Sequence, residues 1–370
     1  MKIVILGLSI TSSWGNGHAT TYRALVRELA RRGHQVYFLE RDTPWYARQR
    51  DAAHIPGVAV CLYGNFDELR ERHSRKIAEA DAVIVGSYVP DGIAIGEWVL
   101  AISSGVVAFY DIDTPVTLAR LRHGSIGYLS ESLIPRYHLY LSFTGGPVLA
   151  QLEQRWGARV ARPLYCAVDP WSYFPESCAK RTHWDLGYLG TYSDDRQPGL
   201  EQLMLRPASR APSRSFIVAG AQYPDGIAWP ANVERVEHLP PAAHRRFYNQ
   251  QRFTLNLTRA EMIAAGYSPS VRLFEAAACG TPIISDSWPG LETFFSPGKE
   301  ILIARDAADV EHFLQEISPE KAAEIGNAAR RRVLEEHTAA HRAVELESYL
   351  REAGVSRLAP VSAAPVSLLQ

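Results

Sequence analysis

The chain is poor in cysteine, and the cysteines it has are far apart. Cys61, Cys166, Cys178 and Cys279 are the only four in 370 residues, and none stand in a C-x-x-C spacing. That pattern points to buried free thiols in a reducing compartment. No stretch of about 18 apolar residues occurs, so a membrane-spanning helix is not expected. Neither sign of charge dominates. With 39 basic and 40 acidic residues the formal net charge is -1, which argues against a general nucleic-acid binder. The opening MKIVILGLS lacks the basic region, long apolar core and small-residue cleavage site of a secretion signal. A cytoplasmic location and no stable membrane insertion are expected.

What is present is alternation. Apolar runs at 3–8, 35–39, 58–62, 82–85, 106–110 and 139–143 are separated by amphipathic segments. Between 20 and 32, Tyr22, Leu25, Val26 and Leu29 fall at helical spacing. Strands alternating with helices imply a parallel sheet covered on both faces. The stretch 162–177 holds three prolines and four aromatic residues and reads as an interdomain linker. A second series follows, with strands expected at 186–189, 215–218, 233–236, 254–257, 282–285 and 301–304. Helices are expected near 198–205, 242–250, 270–279, 307–317, 319–335 and 338–352, and a disordered tail after them. At 370 residues two cores are the default. The fold class is therefore α/β, with two doubly wound, Rossmann-like domains facing a central cleft. The expected boundaries are 1–168, 169–337, a closing helix 338–355 returning to the first domain, and a tail 356–370. Ligands of such sheets sit beyond the carboxyl ends of the strands, here between the domains.

The stretch YSPSVRLFEAAACGTPIISD, 267–286, places chemistry at that cleft. Ser268, Pro269 and Ser270 open a helix, and Gly280 ends it. A helix amino end offers unpaired N–H groups and partial positive charge, a ready anion site. Arg272 lies in its first turn and Glu275 one turn on, on the same face. Glu275 among alanines is costly unless something hydrogen-bonds it. It is either the helix partner of Arg272 or an acceptor for two vicinal hydroxyls, as on a ribose. GTYSDDR, 190–196, follows a strand and precedes a helix. Gly190, Thr191 and Tyr192 offer a turn, and Arg196 a cation suited to bidentate phosphate contacts, or else a solvated loop charge beside Asp194 and Asp195.

Three further stretches face the cleft from the first half. WGNGHATTYRAL, 14–25, carries Gly15, Asn16 and Gly17 for close backbone approach and His18 at a helix start. His18 is either a base or phosphate donor, or a capping histidine. YDIDTPVTL, 110–118, offers Asp111 and Asp113 as general bases or hydroxyl binders, with an N-cap as the other role of Asp113. In FTGGPVLAQL, 143–152, tight packing is the simplest account of Gly145 and Gly146. Gly15, Gly17 and Glu40 also suggest a dinucleotide-binding fingerprint. Its third glycine position holds Thr20, and the loop after the first strand is too long for it.

The order of strand, loop, S-x-R-L-F-E-A-A-A-C-G-T-P-I-I, short helix and G-K-E-I-L-I resembles the carboxyl-terminal domain of the GT-B glycosyltransferases. LYCAVDPWSYFP resembles that superfamily's crossing between domains. YDIDTPVTL, LSFTGGPVL, GTYSDDR and SPSVRLFEAAACG together resemble a bacterial glycosyltransferase-like group named after spore maturation. The resemblance implies a hexosyltransferase-like enzyme with a nucleotide-sugar donor, UDP- or another NDP-sugar, as substrate. It implies no separate cofactor and no metal, helix dipole and arginines taking a metal's place. The Asp-x-Asp of 111–113 is then no metal motif. The acceptor is a small molecule, polysaccharide, lipid or protein, and no nucleic-acid partner is expected. Glu275 takes the ribose, with Val271, Arg272 and Ser270 at the helix start. Where retaining members carry an arginine after the glycine, this chain has Thr191, and Arg259 of LNLTRAEM is the candidate replacement. Where they carry a second glutamate, this chain has Tyr267. Either Glu261 fills that place, or a backbone nest at 266–268, including Ser268, binds sugar or phosphate. The alternatives are a nicotinamide-dependent oxidoreductase, a sugar epimerase on the same scaffold, and a catalytically silent nucleotide-sugar-binding protein.

Overall fold

A computed structural model describes the chain except residues 15–16, 53, 125, 177–181 and 359–370, and the side chains of 356–358. Cys178 and the site candidates Gly15 and Asn16 lie outside the described residues. The first sheet is built from β1 (Lys2–Gly7), β2 (Gln35–Arg41), β3 (Val58–Tyr63), β4 (Ala82–Gly86), β5 (Val106–Asp111), β6 (Leu139–Ser142) and β7 (Ala161–Pro163). Their order is β3-β2-β1-β4-β5-β6-β7, all parallel. The second sheet holds β8 (Trp184–Leu189), β9 (Phe216–Ala219), β10 (Val233–Val236), β11 (Gln251–Asn256), β12 (Ile283–Ser285) and β13 (Leu302–Ile303). Its order is β10-β9-β8-β11-β12-β13, again all parallel.

The continuous apolar runs are explained by burial on both faces. Ile3 and Ile5 of β1 pack with Tyr22, Val26 and Leu29 of the helix His18–Arg31, while Val4 and Leu6 pack on the opposite face with Val85 and Val99. In the second sheet Ile217 and Ala219 face one core, and Phe216 and Val218 the other. Side chains alternating across a strand require two apolar layers when helices cover both faces. Both sheets reverse strand order beside their first strand, at β1/β4 and at β8/β11, and the loops there open on one cleft.

Four elements differ from expectation. The segment read as linker begins inside β7, an edge strand too short to show an alternating pattern. The helix expected at 198–205 is Gln197–Leu200, continued by one π-turn, Glu201–Leu205, into Arg206–Arg210. The π-turn falls just ahead of Pro207, which has no N–H to give. The helix expected at 270–279 spans Val271–Ala278, with Ser270 at its cap and Pro269 outside it. The closing helix runs Ala339–Leu358, past the expected tail boundary. It packs on the first domain through Ala343, Leu346, Leu350 and Ala353, whereas Val344 on its outer face is 48% exposed.

The two halves also meet directly. Thr144 and Ser268 share a hydroxyl hydrogen bond of 2.8 Å, and the Gly145 N–H donates to the Tyr267 carbonyl at 3.0 Å. Gly146 has φ +59 and lies so close to the Tyr267 ring that a Cβ would fall 2.3 Å from it. Its absent side chain is thus required by the seam as well as by the backbone. Among the described residues, no helix is long and apolar enough to cross a membrane.

Candidate active site

A cavity of about 320 Å3 lies where the two sheets face each other. Its second-domain wall is built by three loops that leave the carboxyl ends of strands β8, β9 and β10. The first is Leu189–Gly190–Thr191 with Arg196, the second Gly220–Ala221, and the third His238 to Pro241. Gly190 and Gly220 touch backbone to backbone, since a Cβ on Gly220 would lie 1.9 Å from the Gly190 carbonyl oxygen. Arg196 is held over the turn at Gly190 by a hydrogen bond to the Thr191 carbonyl at 2.6 Å.

The floor is the helix Val271–Ala278, which contributes Val271, Arg272 and Glu275. No side chain caps its amino end. Ser270, in the cap position, donates to Asn256 Oδ1 at 2.7 Å instead. The first-turn N–H groups therefore keep their partial positive charge toward the cavity. Arg272 does not pair with Glu275. It donates to the Leu189 carbonyl and, at 3.0 Å, to Asn256 Oδ1, and lies over the Tyr188 ring. Glu275 is 3% exposed, has the Tyr173 hydroxyl as one donor and accepts from the Tyr248 hydroxyl at Oε2, 3.1 Å away. His244 Nδ1 stands 3.8 Å from the same oxygen. Burial, then the Glu275 charge, push the Tyr248 hydroxyl well above its ordinary pKa, so it stays a donor. Part of what steadies Glu275 is thus a side chain one helix away, neither Arg272 nor a ligand.

The first domain closes the cavity with Ser13, Gly17 and Thr20, at the amino end of the helix His18–Arg31. That helix has no side-chain cap at Gly17 and no acidic residue in its first turn. Two uncapped helix starts therefore face one cavity, which suits a ligand with negative charge between them. Trp14 meets His238 across the cleft with ring centroids 4.5 Å apart.

Beside the cavity, His18 Nε2 lies 3.7 Å from Asp113 Oδ2, and the Tyr88 hydroxyl donates to the same oxygen at 3.0 Å. Asp113 occupies the cap position of the helix Thr114–Leu121 without capping it. Burial would raise its pKa. Hydrogen bonding and charge from His18, the Tyr88 hydroxyl and the Arg259 charge outweigh that and hold the carboxyl below its ordinary value. Asp111 is not brought to the cleft. It is fully buried and accepts from the Tyr140 hydroxyl at 2.6 Å and the Thr117 hydroxyl at 2.9 Å. Burial pushes it up to about 6 against those donors.

The remaining candidates divide. Gly190, Thr191, Arg196, Val271, Arg272, Glu275 and Gly17 line the cavity. Tyr192 turns its hydroxyl to Asp194 at 2.6 Å. Arg259 Nε lies 3.5 Å from Asp195 and outside the cavity wall. Tyr267, with φ +49, and Ser268 are spent on the seam between domains. Glu261 sits on the short helix Ala260–Ala265, its Oε2 buried without a hydrogen bond among the described residues. Tyr88, Tyr248, His244 and His238 were not anticipated. His244 and Tyr248 stand four residues apart on the helix Pro241–Asn249, a one-face spacing that the sequence does display.

The dinucleotide alternative fails at Glu40. That residue is fully buried and accepts from Ile10 N at 2.6 Å, Thr11 N at 3.0 Å, the Thr11 hydroxyl at 2.6 Å and the Ser9 hydroxyl at 3.0 Å. Both oxygens hold the loop after β1, and neither is left for a ribose.

Two such sheets, with a helix closing the chain back on the first, form the GT-B fold of glycosyltransferases. Sucrose-phosphate synthase from Thermosynechococcus elongatus is similar over 96% of this chain and 100% of its own, with TM-score 0.69 and 16% identity. HepE of Anabaena in complex with UDP and glucose is similar over 95% of this chain and 100% of its own, with TM-score 0.69 and 12% identity. An alpha-glucosyltransferase in complex with UDP-glucose and DNA containing an abasic site is similar over 95% and 99%, with TM-score 0.72 and 14% identity. In sequence, residues 196–348 match the family described as Glycosyl transferase-like. No curated protein matches the chain in sequence.

Proposed function

We propose that the protein is a glycosyltransferase that moves a sugar from a nucleoside-diphosphate sugar, a uridine diphosphate sugar in the first instance, to an acceptor hydroxyl. The observation that carries this reading is Glu275. It is a buried carboxylate on a cavity wall, one turn beyond an uncapped helix start and opposite the Gly190 turn with Arg196. Such a set matches the polarity of a nucleotide, with hydroxyls at one end and a diphosphate at the other. Glu275 accepts from the ribose hydroxyls, in charge-assisted bonds. The N–H groups of Val271, Arg272 and Thr191 face the diphosphate together with Arg196. They stabilise negative charge as it develops on the leaving group, the part a metal plays elsewhere. UDP is favoured among nucleotides because HepE, in complex with UDP and glucose, and the alpha-glucosyltransferase, in complex with UDP-glucose, are similar in fold. The acceptor enters beside His18 and Asp113.

Thermal denaturation with UDP, UDP-glucose, GDP-mannose, ADP-glucose and NAD tests this reading. A ligand at one hundred times its Kd stabilises the native state by about 2.7 kcal/mol. A UDP or other NDP-sugar shift, with NAD silent, is expected. A shift with NAD alone, or with none of the five, overturns the proposal.

A further inference from the structure

We propose that Tyr88 is the residue that positions Asp113, holding one carboxylate oxygen so that the other is presented to the acceptor hydroxyl. The inference rests on the glycosyltransferase reading above and goes beyond it by naming how the acceptor side is built.

Tyr88 lies two residues beyond β4 with φ 65, in the left-handed region that a tyrosine rarely adopts. Strain of this kind persists where the surroundings over-determine it. Here they do. The Tyr88 ring lies 4.8 Å from that of Tyr128 and 5.5 Å from that of His18, centroid to centroid. Tyr128 is itself fixed: its hydroxyl pairs with Thr117 at 2.9 Å, and Thr117 donates to the buried Asp111 at 2.9 Å. Gly92 packs against the Tyr128 backbone so closely that a Cβ would lie 2.7 Å from its Cα. A continuous set of contacts thus runs from the core at Asp111 to the Tyr88 hydroxyl, which donates to Asp113 Oδ2 at 3.0 Å.

Both neighbours of Asp113, Tyr88 and His18, address Oδ2. Oδ1 accepts no hydrogen bond among the described residues. Asp113 also forgoes the capping bond its position offers, a bond that ordinarily stabilises a helix. The titratable and charged groups that act on it are His18 from the helix His18–Arg31, Tyr88 after β4, Asp111 and Tyr128 from its own side, and Arg259 from the second domain. Burial and the Asp113 charge keep the Tyr88 phenol protonated and donating.

In the transfer step the acceptor oxygen bonds to the anomeric carbon of the donor. The bond from that carbon to the diphosphate oxygen breaks, and the diphosphate leaves with the electron pair. The hydroxyl proton passes to Asp113 Oδ1.

The test follows hydrolysis of UDP-glucose, ADP-glucose, GDP-mannose and dTDP-glucose, with water as acceptor, against pH. Tyr88→Phe keeps the ring contacts and removes the donor. It should lower kcat about ten-fold or more with nucleotide affinity unchanged, and move the acid limb of the profile to higher pH. In an Asp113→Asn background the same change should cost little further, since the partner is already altered. If Tyr88→Phe disturbs folding, Tyr88→3-fluorotyrosine keeps the shape and sharpens the donor, and should move the acid limb to lower pH. Nucleotide binding with an unmoved profile in both variants overturns the role of Tyr88 and leaves the function standing. So does full additivity with Asp113→Asn. Binding without hydrolysis of any of the four sugars by the native protein overturns it as well, and absence of nucleotide binding sinks the function and this inference together.

Discussion

Two glutamates are buried beside the cleft, one in each domain, and they are used in opposite ways. Glu40 accepts four hydrogen bonds from residues 9–11. Glu275 meets the hydroxyls of Tyr248 and Tyr173 and lines an open cavity. A buried carboxylate is costly until its lone pairs are filled. Where the protein fills them, the residue is architecture. Where it leaves capacity at a cavity wall, the residue is poised for a ligand. Burial alone does not separate the two, because both are almost fully enclosed.

The comparison can be broken most easily at Glu40. Glu40→Gln turns an N–H2 group toward donors and should cost on the order of 3 kcal/mol of stability. Nucleotide affinity of the folded fraction should be unchanged. Chemical denaturation alongside calorimetry checks both, and a Glu40 variant that folds normally but loses nucleotide contradicts the division.

The first domain should otherwise act on turnover rather than donor binding. His18→Ala and Asp113→Ala should each lower transfer or hydrolysis about a hundred-fold, with nucleotide affinity within a few-fold of native. Steady-state kinetics with a separate binding isotherm distinguishes this from loss of the donor site.

Arg196→Ala probes the opposite end of the second-domain site from Glu275. It should weaken UDP by about ten-fold and a nucleoside lacking phosphates not at all, the scale of one hydrogen bond to a charged group. Equal loss for both ligands would place Arg196 outside the diphosphate site.

The smallest effect belongs to the closing helix. Glu347 is fixed by Arg32, at 2.5 and 2.9 Å, and by His34 at 2.6 Å. The Arg32 hydrogen bond first, then His34, lower its carboxyl from 4.5 to about 2. A depressed carboxyl stabilises the fold above its unfolded pKa, and this contribution is lost as pH falls from 4.5 toward about 2. Glu347→Gln should cost about 1 kcal/mol at neutral pH, the scale of a partly screened ion pair, and flatten acid unfolding in that window. An unchanged acid limb would remove Glu347 from the docking account.

Much of this was legible in the chain. Among the described residues, twelve of the thirteen strands overlap segments expected as strands, most of them apolar because helices cover both faces of the sheets. β7 was missed because three residues at an edge carry no period. At the site, Gly190, Arg196, Arg272 and Glu275 stood in local patterns of helix starts and turns, which depend on neighbours in sequence. Tyr248 and Tyr88 did not. The first reaches Glu275 from a helix 27 residues upstream, and the second is set by a backbone turn that places a tyrosine at positive φ. The alternative left open at the helix Val271–Ala278 was undecided for the same reason. Arg272 and Glu275 have the spacing of a helix pair, and only the surrounding Leu189 carbonyl and Asn256 draw Arg272 away.

The most direct test of the central claim compares UDP with 2′-deoxy-UDP on the native protein and on Glu275→Gln. The claim predicts that the native protein favours the ribonucleotide. The substitution should weaken UDP by roughly 1.5–3 kcal/mol, about ten- to a hundred-fold or somewhat more, and largely erase the preference. The fold should be disturbed only to the extent of the Tyr248 and Tyr173 hydroxyl contacts, which a glutamine oxygen can still accept. If Glu275→Gln binds both nucleotides as the native protein does, Glu275 is architecture like Glu40, and the cavity does not hold a ribose there.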